Sequence, residues 1–245
     1  MASTLSESSR IPTNPSRVVL ITGVSKGLGR ALALELANRG HTIIGCSRDQ
    51  PKLDSLRQQL SSNNHLLFNA NVRSNDSVEE LARGVVQNKL VPDIIGVANR
   101  IGNAWEVEVE EFDNVIDTNV KGIANVLRHF IPLMIPNKHG IIINMSSIAG
   151  RTGIAHIAPY CASKWAVEGL SKSVAKELPE GIAVVALDPG TINTDMLVSA
   201  AGSAALKYLP PERWAIKAAT MILDITTSDN GASLTVKDPT ELANP

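Results

Sequence analysis

A tyrosine and a lysine four residues apart form the clearest chemical pair in the sequence. The stretch Tyr160-Cys161-Ala162-Ser163-Lys164 has helical periodicity, so the two side chains are expected on one helix face. A free tyrosine has a pKa of about 10, too high for proton transfer near neutral pH, and a neighbouring ammonium group is expected to lower it. Ser147, thirteen residues earlier, follows a predicted strand, where its hydroxyl can hydrogen-bond a substrate oxygen. Together these residues predict a proton-transfer site.

A glycine-rich turn, Thr22-Gly23-Val24-Ser25-Lys26-Gly27-Leu28-Gly29, lies between the first predicted strand and the first predicted helix. Its three glycines allow a tight turn and close approach to a pyrophosphate, and the following helix N-terminus offers free N–H groups to that anion. The position after the first strand predicts a dinucleotide site. Its candidate binding residues are Gly23, Ser25, Lys26, Gly27, Leu28 and Gly29.

The end of the second predicted strand indicates which dinucleotide the chain binds. An NAD enzyme places Asp or Glu there to bind the ribose 2′-hydroxyl, whereas this chain has Cys46-Ser47-Arg48. Arg48 can pair with a 2′-phosphate, and Lys26 in the glycine turn can assist. We therefore expect NADPH rather than NADH.

Strand-like and helix-like segments alternate along the chain, which predicts βαβ crossovers and a doubly wound parallel α/β sheet of the Rossmann type. No linker or repeat divides the chain, so we expect a disordered leader over residues 1–16 and a single domain over 17–245. Strands are predicted at 18–22, 41–46, 66–68, 93–95, 140–145, 182–187 and 233–236; helices at 27–39, 51–60, 77–86, 109–134, 159–178 and 212–224.

Composition narrows the class of protein. Among the 245 residues, 44% are hydrophobic, 19% are charged and only 3% are aromatic, which suits an aliphatic sheet buried on both faces. The net charge of -1 gives no reason to expect nucleic acid or an anionic membrane as partner. No apolar run approaches the ~20 residues of a membrane span. Two cysteines predict neither a disulfide framework nor a metal site, so we expect reduced thiols and a cytoplasmic protein.

These motifs, in their order and approximate spacing, resemble the signature set of the short-chain dehydrogenase/reductase family over about residues 17–237. The resemblance implies that Tyr160 is the general acid of carbonyl reduction, that Lys164 binds the nicotinamide ribose and tunes Tyr160, and that Ser147 polarises the substrate. It also implies that Asn119 holds a water linking Lys164 to solvent. Further cofactor contacts implied by the resemblance are Asn71 and Val72 at the adenine, and Pro189, Gly190, Ile192 and Thr194 at the nicotinamide.

Within that family, residues 23–36, 112–133, 158–171 and 231–236 resemble plant NADPH-dependent pterin aldehyde reductases, which reduce 6-formyl pterins in folate salvage. The resemblance implies a small carbonyl substrate, and association into a homodimer or homotetramer through helices near 109–134 and 159–178. Trp105, Trp165, Trp214, Met196 and Tyr208 are candidates to line a flat aromatic pocket, and most of them fit a place in the core or at an interface equally well.

The fourth strand departs from the family, which carries Asn-Asn-Ala-Gly at its end. Here the chain reads Asp93-Ile94-Ile95-Gly96-Val97-Ala98-Asn99-Arg100. Either Gly96 is the motif glycine and an apolar residue plus Asn-Asn-Ala are missing, or residues 97–100 replace the motif without a gap. We favour the gap, which would shorten the strand by roughly 13 Å.

Three hypotheses follow for the function. The first is an active NADPH-dependent aldehyde reductase, for which Ser147, Tyr160 and Lys164 argue. The second is a weakened or catalytically dead cofactor-binding homologue, for which the altered fourth strand argues. The third is an active reductase of another carbonyl substrate, such as a ketone or quinone.

Overall fold

The computed structural model describes residues 15–60, 64–96, 109–195, 197–198 and 202–236. Within these ranges seven aliphatic segments form one parallel sheet in the order β3-β2-β1-β4-β5-β6-β7. The strands are β1 Val18–Thr22, β2 Thr42–Ser47, β3 Leu66–Asn69, β4 Ile94–Gly96, β5 Gly140–Met145, β6 Ile182–Asp188 and β7 Ser233–Thr235. The strand order reverses between β1 and β4, and the carboxyl edge at such a point is where ligands bind in open α/β sheets. The predicted doubly wound fold is confirmed.

Helices cover both faces of the sheet, as the strand–helix alternation predicts. They are α1 Gly27–Asn38, α2 Gln50–Gln59, α3 Asn75–Gln87, α4 Val109–Ile116, α5 Gly122–Met134, α6 Ala158–Ala175 and α7 Pro211–Asp224. On the sheet face covered by α1, α2 and α7, the hydrophobic core includes Leu36, Leu53 and Trp214. Leu81, Phe130 and Val167 represent the core on the α3, α5 and α6 side.

The segment predicted as one helix over 109–134 contains a wider turn in its middle. Asp117–Lys121 forms a π-helical turn between α4 and α5. One extra residue per turn rotates the following side chains, and such turns occur frequently at functional sites. Here the turn contains Asn119, which is 1% exposed.

Strand β4 is described over Ile94–Gly96, and the residues that follow lie outside the described ranges. Its described part pairs with β1 from Val19↔Ile94 to Ile21↔Gly96, and with β5 at Ile94↔Ile141 and Ile95↔Ile142. Strand β1 continues to Thr22 and β5 to Met145. The two alignments of the family motif differ in residues 97–100, which lie outside the described residues, so the choice between them stays a prediction.

Candidate active site

The glycine turn has the backbone geometry that close contact with an anion requires. Gly23 and Gly27 have φ values of +75° and +57°, which favour glycine. A Cβ on Gly29 would lie 2.5 Å from the Gly23 carbonyl oxygen, so no side chain can be accommodated there. Asp49 and Ser74 cap α2 and α3 with their side chains, whereas the N-cap of α1, Lys26, makes no such hydrogen bond. The first amides of α1 are thus available to a phosphate group.

A cavity of about 130 Å³ adjoins this turn at the carboxyl ends of β1, β2 and β3. It brings together five of the predicted cofactor residues: Gly23, Ser25, Arg48, Asn71 and Val72. Sequence reasoning missed Arg73 and Thr118, which also line it. The Arg73 guanidinium lies 3.3 Å from Asp117 Oδ2, which ties the end of β3 to the π-helical turn. The donors and the sterically restricted turn fit an adenosine phosphate.

Lys26 does not line this cavity. Its Nζ is 3.4 Å from Asp195 Oδ2 in an exposed ion pair, and its side chain lines a different groove, together with Gly27 and Thr194. Exposed pairs of this kind contribute little to stability. The assistance of Lys26 to Arg48 stays a prediction, since the structure directs the ammonium toward the loop after β6.

The loop after β6 begins with Pro189 and Gly190. Gly190 has a φ of +75°, and its N–H donates to Asp188 Oδ1 at 2.9 Å. Thr194 Oγ1 accepts from the Leu197 N–H, while Ile192 is buried at 9% exposure in the core beside α1 and α7. An Ile192 contact with a nicotinamide would therefore use its backbone rather than its side chain.

Tyr160 and Ser147 meet at the carboxyl edge of β5. The side chains are hydrogen-bonded, and this bond lowers the pKa of Tyr160, but burial has the larger, opposite effect. The negative charge of Asp188 also raises it. In this structure the pKa of Tyr160 is thus raised, and the sequence-based expectation of a lowered pKa was wrong. Desolvation disfavours the phenolate more than the nearby groups favour it.

Lys164 is 1% exposed, and its Nζ donates to the Met145 carbonyl oxygen at 2.7 Å. The Nζ lies 5.4 Å from the centroid of the Tyr160 ring. Burial lowers the pKa of Lys164 to about 8, and Asp188 opposes that shift. Asp188, which is 5% exposed at the end of β6, was missed by sequence reasoning, although its place directly before Pro189-Gly190 was visible.

Asn119 positions the helix that holds Tyr160. Its Nδ2 donates to Ser163 Oγ at 2.9 Å, and that hydroxyl donates to the Tyr160 carbonyl oxygen at 2.7 Å. Within the described residues, Asn119 Oδ1 is buried with no hydrogen-bond partner. A buried acceptor of this kind suits a water, as the family resemblance implies.

The buried carboxylate of Glu168 accepts hydrogen bonds from residues next to the reacting groups. Glu168, one helical turn after Lys164, is 4% exposed and accepts from Ser146 Oγ at 2.7 Å and from Arg151 Nε at 2.9 Å. It also accepts from Ser233 Oγ at 2.5 Å. These hydrogen bonds hold the pKa of Glu168 below its usual value despite burial. They join α6, the end of β5 and β7 around Ser147.

Three of the five candidate pocket residues lie within the described residues. Trp214 is buried at 2% exposure in the core, which was the alternative to a place in the pocket. Trp165 is 54% exposed on α6, and Tyr208 is 44% exposed after a short 3-10 helix. Trp105 and Met196 lie outside the described residues. Among the helices that the structure describes, none is both long and apolar enough to cross a bilayer.

Comparisons with known proteins agree with this geometry. A family model described as short chain dehydrogenase matches residues 17–203. An NADPH-dependent pterin aldehyde reductase of Arabidopsis thaliana is 65% identical over 226 residues, 90% of this chain and 93% of that protein. A 3-oxoacyl-acyl-carrier-protein reductase of Staphylococcus epidermidis is 34% identical over 190 residues, 74% of this chain and 77% of that protein.

Among solved structures, an actinorhodin polyketide ketoreductase with NADPH superposes with a TM-score of 0.80 at 26% identity, covering 90% of this chain and 95% of that one. Sequence, fold and site geometry agree: the chain belongs to the short-chain dehydrogenase family.

Proposed function

We propose that the chain is an NADPH-dependent reductase that converts a pterin aldehyde, such as a 6-formyl pterin, to the alcohol. The observation that carries this proposal is the 65% identity to the Arabidopsis thaliana enzyme over 90% of the chain. The hydrogen-bonded Tyr160 and Ser147 beside the buried Lys164 support catalysis. They favour the active enzyme over a dead homologue.

The residues have separate tasks in this reaction. NADPH, when bound, supplies the hydride that reduces the carbonyl carbon. Tyr160 donates its proton to the carbonyl oxygen, since a phenol is protonated at neutral pH. Ser147 hydrogen-bonds the same oxygen, and the Lys164 ammonium stabilises the phenolate that proton transfer leaves.

The cavity with Arg48, Asn71 and Val72 would hold the adenosine half of NADPH, and the Arg48 guanidinium its 2′-phosphate. Gly23, Ser25, Gly27, Leu28 and Gly29 would surround the pyrophosphate. Pro189, Gly190, Ile192 and Thr194 would meet the nicotinamide.

We also propose a role in folate metabolism, a cytoplasmic location and association into a homodimer or homotetramer. Free, buried Cys46 and Cys161 are compatible with a reducing compartment. Val109, Phe112 and Trp165 expose apolar surface on α4 and α6, the helices expected at the interface.

Calorimetry with NADPH and NADH in parallel, followed by an assay with 6-formylpterin, tests the proposal. We expect tight NADPH binding, weak NADH binding and turnover. Tyr160→Phe should lower kcat about 10²- to 10⁴-fold and leave NADPH affinity nearly unchanged. A folded protein without NADPH binding would contradict the proposal, and turnover of ketones or quinones alone would redirect it to another substrate.

A further inference from the structure

Trp214 is the largest fully buried side chain, yet its one polar atom has a specific partner. The indole Nε1 donates to the Pro189 carbonyl oxygen at 3.0 Å. Pro189 begins the loop after β6, and Trp214 lies in the first turn of α7, 25 residues further along the chain. A buried indole N–H usually requires such a partner, and here the partner is the loop next to the reacting groups.

The segment before α7 binds this loop at a second point. The Asn193 N–H donates to the Leu209 carbonyl oxygen at 2.9 Å. Both ends of loop 189–194 are therefore bound to one segment, residues 209–214. Between the two hydrogen bonds lies Gly190, whose φ of +75° is in the left-handed region.

Helix α7 is itself fixed to α1. The Arg39 guanidinium donates to the Ile216 carbonyl oxygen at 2.8 Å and to Thr220 Oγ1 at 2.9 Å. Buried alanines on α7, Ala215 and Ala218 among them, allow the helices to approach closely. Since α1 starts at the glycine turn, α7 sets the position of loop 189–194 relative to that turn.

We infer that Trp214 is a positioning residue for the cofactor, holding loop 189–194 where it meets the nicotinamide half of NADPH. This rests on the proposed function, because it requires the dinucleotide to extend from the glycine turn to that loop. The adenosine half would occupy the cavity at the ends of β2 and β3, whose lining does not include Trp214. The two halves of the cofactor should thus respond differently to loss of the indole N–H.

Trp214→Phe tests this, since phenylalanine retains an aromatic ring and lacks the donor. We expect the Kd of NADPH to rise about 5- to 30-fold, because the buried Pro189 carbonyl oxygen loses its hydrogen-bond donor. The Kd of 2′,5′-ADP should change less than about twofold. The rate of hydride transfer in single turnover should also fall. Calorimetry and stopped-flow absorbance give the readouts.

Phe130→Leu is the matched control, because Phe130 is fully buried in the core on the other sheet face. It should lower the Tm comparably and leave both dissociation constants unchanged. If Trp214→Phe is too unstable to purify, replacing the indole of Trp214 by benzothiophene keeps the bicyclic shape and removes the N–H.

Equal weakening of NADPH and 2′,5′-ADP, or no weakening of either, would overturn the inference. If the unmodified protein binds 2′,5′-ADP but gains no affinity from the nicotinamide half, the proposed function itself is overturned. The proposed function is tested on the unmodified chain, whereas the inference about Trp214 is tested on the variants. Failure of one can therefore be distinguished from failure of the other.

Discussion

Tyr160 is held in the protonation state that reduction requires. Burial raises the pKa of its phenol, and Asp188 contributes in the same direction. A protonated tyrosine donates to a carbonyl oxygen, whereas oxidation of the alcohol would need the phenolate as base. Near neutral pH the phenol can therefore act as the acid of reduction, and the rate of alcohol oxidation should increase as the pH rises.

Asp188 sets the alkaline limit of this activity. Its charge raises the pKa of both Lys164 and Tyr160, so Asp188→Asn should lower both. Lys164 then loses its charge and Tyr160 its proton at lower pH, and the alkaline limb of kcat/KM moves to lower pH. Asparagine retains an oxygen for the Gly190 N–H, so the loop is preserved.

The measurement is a pH–rate profile of the purified variant. Asp224→Asn, at the exposed end of α7, removes the same charge far from the site and should leave the profile in place. An unmoved alkaline limb in Asp188→Asn would show that this carboxylate does not influence the reacting groups.

Arg48 should decide between the two nicotinamide cofactors. Charge-assisted hydrogen bonds contribute about 1.5–3 kcal/mol, so Arg48→Ala should raise the Kd of NADPH roughly 10- to 100-fold and leave that of NADH unchanged. Arg83→Ala, which removes an exposed arginine from α3, is the control. An equal loss of affinity for NADPH and NADH would show that Arg48 does not bind the 2′-phosphate.

The sequence could predict which residues react but not the balance of charges around them. Tyr160, Lys164 and Ser147 form a motif of fixed spacing. The bond from Lys164 to Met145, and the influence of Asp188, depend on how β5 and β6 end beside α6. Such neighbours are distant in sequence and carry no motif.

At the scale of elements, β4 is the strand at which the sequence departs from its family. Its described pairs end at Ile21↔Gly96 and Ile95↔Ile142, before β1 and β5 end. Inserting Val-Asn-Asn-Ala between Ile95 and Gly96 should extend both ladders. At about 0.5–1.5 kcal/mol for each added hydrogen bond, we expect the Tm to rise by at least about 4 °C and kcat/KM to increase.

Thermal unfolding and the aldehyde assay test this insertion, with Gly-Ser-Gly-Ser at the same place as control. An unchanged Tm together with unchanged activity would show that the chain has no deficit at this strand.

The order and type of the elements could be predicted, because aliphatic runs and helical periods alternate clearly. The π-helical turn could not: apolar residues continue at helical spacing through 109–134, and nothing in that pattern marks the added residue at Asp117–Lys121.

For the molecule as a whole, two buried histidines make stability sensitive to acid. His41 Nδ1 accepts from the Arg17 N–H, and His65 Nδ1 accepts from the Ile43 N–H, both at 3.1 Å. Burial lowers the pKa of both, and nearby arginines add to this. As the pH falls, these histidines therefore bind protons at a higher pH in the unfolded chain than in the folded protein. The folded protein has its full stability with respect to these groups above about pH 6.5, and it loses that stability as the pH falls below this value.

Urea denaturation at pH 7, 6 and 5 measures this loss. Replacing both residues by asparagine (His41→Asn and His65→Asn) offers a neutral acceptor and should flatten the dependence of the free energy of unfolding on pH. His129→Gln, on the surface of α5, should not. An unchanged slope in the double variant would assign the acid sensitivity to other groups.

The burial of Trp214 also gives the molecule an optical reporter. Of the two tryptophans in the described residues, Trp165 is half exposed and open to iodide, whereas Trp214 is shielded. In a Trp105→Phe background, emission that iodide cannot quench therefore reports on the indole bonded to Pro189. Because reduced nicotinamide absorbs where tryptophan emits, energy transfer from Trp214 would follow the arrival of the cofactor without any added label.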